Sequence, residues 1–256
     1  MVTPFANGTL LRAAAHAPAV DVDALAGRGV LVLAPHPDDE TLGCGAALAT
    51  LARRAHPIRV VVVTDGGGSH PHSRCWPHAR LVARRADELA AALDALGDGR
   101  IAHERLGFPD QGIPDASNAV VRDALERLSG MLAESGSIDT IWTTWEGDPH
   151  PDHARTADLA EALADAHLAT SGLRPTVIRF PIWGRFVERS PTSARDELVR
   201  LVPDGPARAR KSRALACHAS QMSALIDDDP EGFTMPRTMQ RHFIEHDELF
   251  VRERTG

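Results

Sequence analysis

The chain has 256 residues, 43% hydrophobic and 25% charged, which are ordinary values for a globular protein of one or two domains. Its net charge of −7, without a basic stripe, argues against binding to nucleic acid. No apolar run approaches the roughly 20 residues that cross a bilayer, so no membrane span is expected. Cys44, Cys75 and Cys217 have no paired spacing, which favours a reducing, cytoplasmic location over a disulfide framework.

Residues 1–28 are predicted to be a loosely ordered lead-in, and residues 29–256 a single domain without an internal linker. Apolar, β-branched runs predict buried strands, and amphipathic segments between them predict helices. This alternation predicts an α/β fold with a Rossmann-like, doubly wound, mostly parallel sheet and helices on both faces. Gly97 is expected to be the glycine that ends the third of these helices. The predicted strands cover residues 30–34, 58–64, 100–106, 138–144, 177–182, 198–203 and 248–252, and the predicted helices cover residues 22–26, 42–55, 79–96, 117–134, 154–169 and 207–226.

The most informative stretch follows the first predicted strand. Residues 34–40 read Ala-Pro-His-Pro-Asp-Asp-Glu, and a predicted helix comes directly after them. In open α/β sheets, ligands bind at the carboxyl ends of strands and beside helix N-termini. The acids alone could simply complement the helix dipole. Pro35 and Pro37, however, fix the backbone where the imidazole and carboxylates emerge, which favours a functional role for this turn.

A second motif, His-Pro-Asp-His at residues 150–153, follows the fourth predicted strand and opens a helix. His150 and His153 lie on the same face of a helical turn because they are three residues apart. Two imidazoles and one carboxylate make up the ligand count of a catalytic Zn²⁺, and Fe²⁺ in a facial triad also fits. A remaining acid would then accept a proton, and a remaining histidine, held protonated by nearby acids, would stabilise an oxyanion. The residues alone leave open which of Asp38 and Asp39 binds the metal.

Together the two motifs resemble the paired signatures of the PIG-L/LmbE-like zinc deacetylases, which remove acetyl groups from N-acetylglucosamine-type sugars. The family signature usually reads A-H-P-D-D-E, and here Pro35 precedes the histidine. Weaker blocks extend the similarity over residues 30–221. They include Thr-Asp-Gly at residues 64–66, Arg-Ala-Asp-Glu at residues 85–88, Pro-Asp at residues 109–110, Phe-Pro-Ile-Trp at residues 180–183 and Cys-His-Ala-Ser-Gln at residues 217–221.

The resemblance implies a role for each residue of the two motifs. It makes His36, Asp39 and His153 the metal ligands. It makes Asp38 the general base, and His150 the group that stabilises the oxyanion or assists the departing amine. The implied reaction is hydrolysis of an amide by attack of zinc-bound water.

Five further residues are weaker candidates for contacts around the site. The resemblance makes Asp152 a partner that orients a ligand histidine. Some family members place a tyrosine just before the second motif, whereas this chain has no tyrosine and Asp148 lies near that place. Arg85 either contacts substrate or pairs with the glutamate three residues later along its helix. His218 either faces the cleft or is structural, and Trp183 either stacks on a sugar or packs in the core.

The sequence therefore predicts a cytoplasmic, zinc-dependent N-deacetylase whose partner is a small N-acylated amino sugar or its conjugate. One alternative is the same site acting as an amidase or deacylase on a thiol conjugate or a natural product. A second is a non-catalytic, Rossmann-like binding module. Specificity is expected in residues 65–78, 107–117 and 184–196. Residues 227–229, three aspartates before Pro230, are interpreted as a solvated turn.

Overall fold

The computed structural model describes residues 8–190 and 195–254. Its strands form one seven-stranded sheet in the order β3-β2-β1-β4-β5-β7-β6. All neighbouring pairs are parallel except those of β7, which runs antiparallel to both β5 and β6. The predicted doubly wound, mostly parallel α/β fold is therefore confirmed. The strands are β1 Val30–Ala34, β2 Ile58–Thr64, β3 Ala102–Phe108, β4 Thr140–Thr144, β5 Thr176–Phe180, β6 Asp196–Leu201 and β7 Glu248–Glu253.

Helices cover both faces of the sheet, which explains the apolar runs in its central strands. Alternate residues of β1 enter two different cores, since Val32 packs with residues of one core and Leu33 with residues of the other. Burial on both faces is the normal state of a parallel sheet. The helices are α1 Thr9–Ala14, α2 Asp23–Ala26, α3 Asp39–Arg53, α4 His78–Gly97, α5 Ala119–Ser135, α6 Pro151–Ser171, α7 Gly205–Cys217, α8 Ala219–Met222 and α9 Arg237–Glu245, with a 3-10 turn at Trp183–Phe186.

The chain reverses its direction of winding between β1 and β4, which are neighbours at the centre of the sheet. From this point the chain continues through β2 and β3 on one side and through β5 on the other. This order creates a crevice outside the carboxyl ends of β1 and β4. Ligands of open α/β sheets bind at this kind of switch point. Both sequence motifs follow the two strands that border it.

Helix α3 begins at Asp39, three residues earlier than predicted, and is interrupted at Cys44, whose φ is −139°. Gly43 lies so close to the Phe180 ring that a Cβ there would be 2.2 Å from it. The interruption frees backbone groups that a continuous helix would pair, and a buried ion pair binds them. Lys211 Nζ donates to the carbonyl of Leu42 and to Glu248, 2.7 Å away. The Glu248 carboxylate also accepts the backbone N–H groups of residues 46 and 47.

Two predicted helix ends differ from the observed ones. Gly97 is the last residue of α4, and Asp98 takes the left-handed conformation with φ 49°. The glycine is needed instead for close packing, because a Cβ on it would lie 2.6 Å from Ile101. The helix predicted over residues 207–226 ends at Cys217. Ser220 then donates to the buried carboxylate of Glu88, and this contact fixes the short α8 against α4.

Residues 8–28 and the segment before β7 are more ordered than predicted. The lead-in was expected to be loosely ordered, but within residues 8–28 Leu10 is buried beside Trp145 and Val251. Its first seven residues lie outside the described part. Helix α9 was not predicted, although Met239 and Phe243 are buried four residues apart on one face. No helix in residues 8–190 or 195–254 has the length and apolar character needed to cross a membrane.

Replacement of Lys211 by methionine tests the ion pair at the helix interruption. Lys211→Met leaves the Glu248 charge buried without its cation, so the free energy of unfolding should fall by about 3–5 kcal/mol. Urea denaturation of the purified protein measures this change. Arg127→Met is the control, because it removes the exposed partner of Glu104 and should cost at most about 1 kcal/mol. Equal losses in the two variants would contradict a special role for the buried pair.

Candidate metal centre

The carboxyl ends of β1 and β4 bring the two motifs together as predicted. The ring centroids of His36 and His150 are 4.8 Å apart, and those of His150 and His153 are 5.0 Å apart. His36 and His153 are separated by 5.6 Å. One nitrogen of each ring lies within 4.8 Å of one nitrogen of the other two. Three imidazoles therefore converge on one point at the switch of the sheet.

One carboxylate oxygen lies between two of these rings. Asp39 Oδ2 is 3.1 Å from Nδ1 of His36 and 3.3 Å from Nε2 of His153. The same oxygen accepts the backbone N–H of His36. Tetrahedral Zn²⁺ with bonds of about 2.0–2.1 Å places its ligand atoms about 3.3–3.4 Å from one another. The spacing of the Asp39 oxygen to the two nitrogens fits such a metal ion.

His153 is buried, and neither of its ring nitrogens makes a hydrogen bond within the described residues. Burial alone would lower the pKa of His153, but the charges of Asp39 and Asp148 and their contacts with the ring together outweigh it and raise the pKa to about 9. Asp148 lies behind the ring, with Oδ2 3.5 Å from Nδ1, and accepts the backbone N–H groups of residues 182 and 183. A buried imidazole with unpaired nitrogens in a negative environment is suited to a cation.

The other side of His36 faces two more carboxylates. Nε2 of His36 is 3.1 Å from Asp152 Oδ2 and 3.3 Å from Asp110 Oδ1. Burial alone would lower the pKa of His36, but hydrogen bonds to Asp110 and Asp152 outweigh it and raise the pKa well above its usual value. Carboxylates in this position hold the ring of a metal-binding histidine and strengthen it as a ligand. Because Nε2 faces these two carboxylates, Nδ1 of His36 is the nitrogen that faces Asp39 and His153.

Asp38 combines backbone strain with burial. Its φ of 147° is rare for a residue with a side chain, and such strain is concentrated at functional sites. Burial raises the pKa of its carboxyl to about 6, although the Arg85 guanidinium 3.4 Å away opposes the shift. Arg85 is itself buried and donates to the carbonyls of Pro37 and Gly66. The predicted alternative, an Arg85–Glu88 pair, is wrong, since Arg84 is the arginine that pairs with Glu88.

His150 also caps the helix that follows it. Its Nδ1 accepts the backbone N–H of Asp152, so the neutral ring carries its proton on Nε2. Burial and the positive charges of His36 and His153 lower the pKa of His150. The expectation that nearby acids keep this histidine protonated is therefore wrong. The neutral ring still offers one N–H donor.

The three imidazoles, Asp38 and Asp39 line a cavity of about 610 Å³. Trp183 lines the same cavity and packs edge-on against Phe233 with ring centroids 5.7 Å apart. Of the two predicted positions, the structure therefore places this ring at the cavity, where a sugar could reach it. His218 does not line it. His218 is fully buried, 3.3 Å from Glu40, and behaves as a structural histidine behind the acids.

Two acids of the site were not predicted. Asp110 lines the cavity and faces His36. Burial would raise its pKa, but the hydrogen bond and charge of His36, with the backbone N–H of Gly68 and the charge of Arg85, together lower it to about 2. It follows β3, the next parallel strand along the edge, so its position at a strand end was a usable signal. Glu40 accepts the backbone N–H of Asp38 and therefore holds the strained turn from inside. No local pattern indicates that contact.

A buried His/Asp cluster at the switch point of a Rossmann-like sheet, open to a large cavity, defines a candidate metal-dependent enzyme. The family described as PIG-L, GlcNAc-PI de-N-acetylase, matches residues 31–164, which include both motifs. The chain belongs to this family. The predicted family and the predicted class of hydrolytic N-deacetylases acting on amino-sugar conjugates are confirmed.

Relatives and solved structures agree with this assignment. The chain is 30% identical to 1D-myo-inositol 2-acetamido-2-deoxy-alpha-D-glucopyranoside deacetylase 2 of Saccharopolyspora erythraea, over 86% of this chain and 92% of the relative. The crystal structure of the A40926 pseudoaglycone deacetylase Dbv21 matches with a TM-score of 0.61 at 22% identity, covering 89% of this chain and 98% of that chain.

The fold by itself does not fix the reaction. GalB, the 4-carboxy-2-hydroxymuconate hydratase of Pseudomonas putida, matches with a TM-score of 0.60 at 20% identity, over 84% of this chain and 82% of that chain. A hydratase and a deacetylase thus share one architecture, and the reaction must be argued from the site. The family membership and the His/Asp cluster together support a metal ion in this chain.

Proposed function

We propose that this protein is a zinc-dependent N-deacetylase of an N-acetylated amino sugar or its conjugate. The observation that carries the proposal is the position of the Asp39 carboxylate between His36 and His153 at the wall of the cavity. Deacetylation of such a sugar is the activity named for the Saccharopolyspora relative. All three cysteines are unpaired, which supports a reducing cytoplasm as the place of action.

His36, Asp39 and His153 would hold the metal, with Asp152 and Asp110 orienting the first of these rings. When bound, the metal ion lowers the pKa of water and polarises the substrate carbonyl. Zn²⁺ fits this donor set, and Fe²⁺ fits the same two imidazoles and one carboxylate. No lysine or arginine other than Arg85 lines the described cavity, so a cation meets little repulsion there.

Asp38 would be the general base. A carboxyl whose pKa is about 6 is ionised at neutral pH and yet basic enough to accept a proton from the attacking water. The strained backbone, the Glu40 contact and Arg85 fix its direction, so little reorganisation is needed during the reaction. The protonated Asp38 carboxyl would then return the proton to the departing amine.

His150 would donate the hydrogen bond that stabilises the oxyanion. Because Nδ1 is occupied by the backbone N–H of Asp152, the Nε2–H group is the one that is free to act on the substrate. A neutral donor of fixed orientation is sufficient for this purpose. This role does not require the imidazolium that the sequence suggested, and it does not require a tyrosine.

The same site could instead act on a thiol conjugate or a natural product, and the Dbv21 neighbour, a deacetylase of an antibiotic pseudoaglycone, makes the second of these a specific alternative. Measuring activity on acetylated substrates and on substrates with longer acyl groups separates an N-deacetylase of amino sugars from these alternatives. A binding module without catalysis is disfavoured, since it needs neither a strained, buried acid nor three imidazoles around a common point.

Acetate release tests the proposal directly. Purified protein should release acetate from simple glycosides of N-acetylglucosamine, lose this activity after treatment with a strong chelator, and recover it with Zn²⁺ or Fe²⁺. Elemental analysis of the untreated protein identifies the resident metal. Full turnover by verified metal-free protein would overturn the metal-dependent mechanism.

The roles of Asp38 and His153 are separable by paired measurements of zinc content and turnover. Asp38→Asn should keep stoichiometric zinc and lose about 10²–10⁴-fold in kcat, because the ligand set is intact and the base is gone. His153→Ala should lose the zinc itself. His103→Ala, an exposed histidine on β3, should keep both. The opposite pattern for the first two variants would show that the roles are exchanged.

Serine at position 150 separates oxyanion stabilisation from helix capping. Serine is a good N-cap residue, so His150→Ser should preserve α6 and the thermal stability. It lacks the Nε2–H donor, and kcat should fall about 10²–10³-fold with little change in zinc content. Steady-state kinetics and a thermal melt are the two measurements. Activity close to that of the unmodified protein would exclude His150 as the oxyanion donor.

A further inference from the structure

One side of the cavity is built from two segments that have no regular secondary structure. They are residues 69–76, between β2 and α4, and residues 228–235, between α8 and α9, and together we name them the rim wall. Asp228 joins them. Its Oδ1 accepts the Ser73 hydroxyl at 2.6 Å, and its Oδ2 accepts the backbone N–H groups of Arg74 and Cys75, each at 2.8 Å.

Further contacts continue this attachment along both segments. Asp229 Oδ2 accepts the backbone N–H of His72, and the N–H of Phe233 donates to the carbonyl of Ser69 at 2.7 Å. Gly232 packs so closely on the His70 ring that a Cβ there would lie 2.2 Å from it. The interpretation of residues 227–229 as a solvated turn is therefore wrong for the second and third aspartates. They hold two loops together that are more than 150 residues apart in the chain.

The rim wall lines the cavity with its inner surface. Pro71, Phe233 and Met235 are its apolar members in the lining, and the ring of Phe233 packs edge-on against Trp183. A volume of about 610 Å³ lies in the range of about 300–1,000 Å³ that accommodates drug-sized ligands. The cavity therefore has room for a substituent attached to the monosaccharide. Aromatic and apolar groups at the rim are suited to the part of a substrate beyond the acetylated sugar.

The charge of the cavity restricts what that part is. Glu231 supplies the only charge that the rim wall adds to the described lining. Arg85 is the one lysine or arginine of that lining, and it is buried against two backbone carbonyls and Asp38. A negatively charged group at the rim would meet Glu231 and, among the described lining residues, no cation other than the buried Arg85, whereas a neutral or positively charged group would not be repelled.

We propose that the rim wall is a single unit, held together by Asp228 as a positioning residue, and that it binds a neutral or cationic aglycone of the N-acetylated sugar. This inference rests on the proposed function. The Asp228 carboxylate holds residues 73–75 through three hydrogen bonds, so its loss frees this part of the loop from the second segment while the metal centre stays intact.

The attachment is tested with Asp228→Ala against Asp227→Ala, which removes an exposed neighbouring aspartate. The readout is the ratio of kcat/KM for a conjugate with a bulky neutral aglycone to kcat/KM for N-acetylglucosamine. We expect Asp228→Ala to lower this ratio at least about tenfold, mainly through KM, and Asp227→Ala to leave it unchanged. Hydrogen exchange at the amides of residues 74 and 75 should accelerate only in Asp228→Ala. Equal ratios and equal exchange in the two variants would overturn the single-unit proposal.

The charge preference is tested with three glycosides of N-acetylglucosamine that carry methyl, 2-aminoethyl or carboxymethyl groups. The unmodified protein should deacetylate the carboxymethyl glycoside least efficiently by kcat/KM, and Glu231→Lys should reverse the order of the two charged glycosides. Glu134→Lys, a charge change on α5 outside the cavity lining, is the control. A preference of the unmodified protein for the carboxymethyl glycoside would overturn the inference. Failure to deacetylate any of the three would instead overturn the proposed function. The hydrogen-exchange measurement at residues 74 and 75 would still test the rim wall.

Discussion

The geometry of the site depends on one carboxylate oxygen, Oδ2 of Asp39, that two imidazoles share. It belongs to the first residue of α3, and it accepts the N–H of His36 while it faces His153 across the crevice. Two strands that are 110 residues apart at their first residues, 30 and 140, are thereby connected at their carboxyl ends. The contact exists only because α3 begins immediately after a strained turn, which Glu40 and Arg85 hold from two sides.

Strain and burial at this turn have an energetic cost that the surrounding structure offsets. A residue with φ near 147° and a buried carboxyl is unfavourable, and strain of this kind is of order 1–3 kcal/mol. The Arg85 hydrogen bonds to the carbonyls of Pro37 and Gly66 stabilise the loops on either side. The result is an acid that stays in place and whose pKa is set by burial, two properties that a flexible, solvated aspartate does not have.

The sequence was sufficient for the parts of the molecule that depend on local pattern. The β-branched run of β2 predicted a strand buried on both faces, and the second motif was expected to open a helix, which begins at Pro151, three residues before its predicted start. The role of Asp228 could not be predicted, because its partners lie more than 150 residues away and a run of aspartates is usually solvated. The interruption at Cys44 was equally hidden, since it depends on Lys211 and Glu248. Asp110 was within reach, because it follows a parallel strand at the same edge.

The interrupted helix has a consequence for how this protein divides into parts. The family match ends at residue 164, and both motifs lie inside it. The lysine and glutamate that complete the peptide hydrogen bonds around Cys44, however, come from α7 and β7, well beyond that limit. A fragment or chimera cut to the matching region would retain all seven motif imidazoles and carboxylates but leave α3 around Cys44 without its support. The smallest unit able to hold those side chains in register therefore includes the far end of the chain.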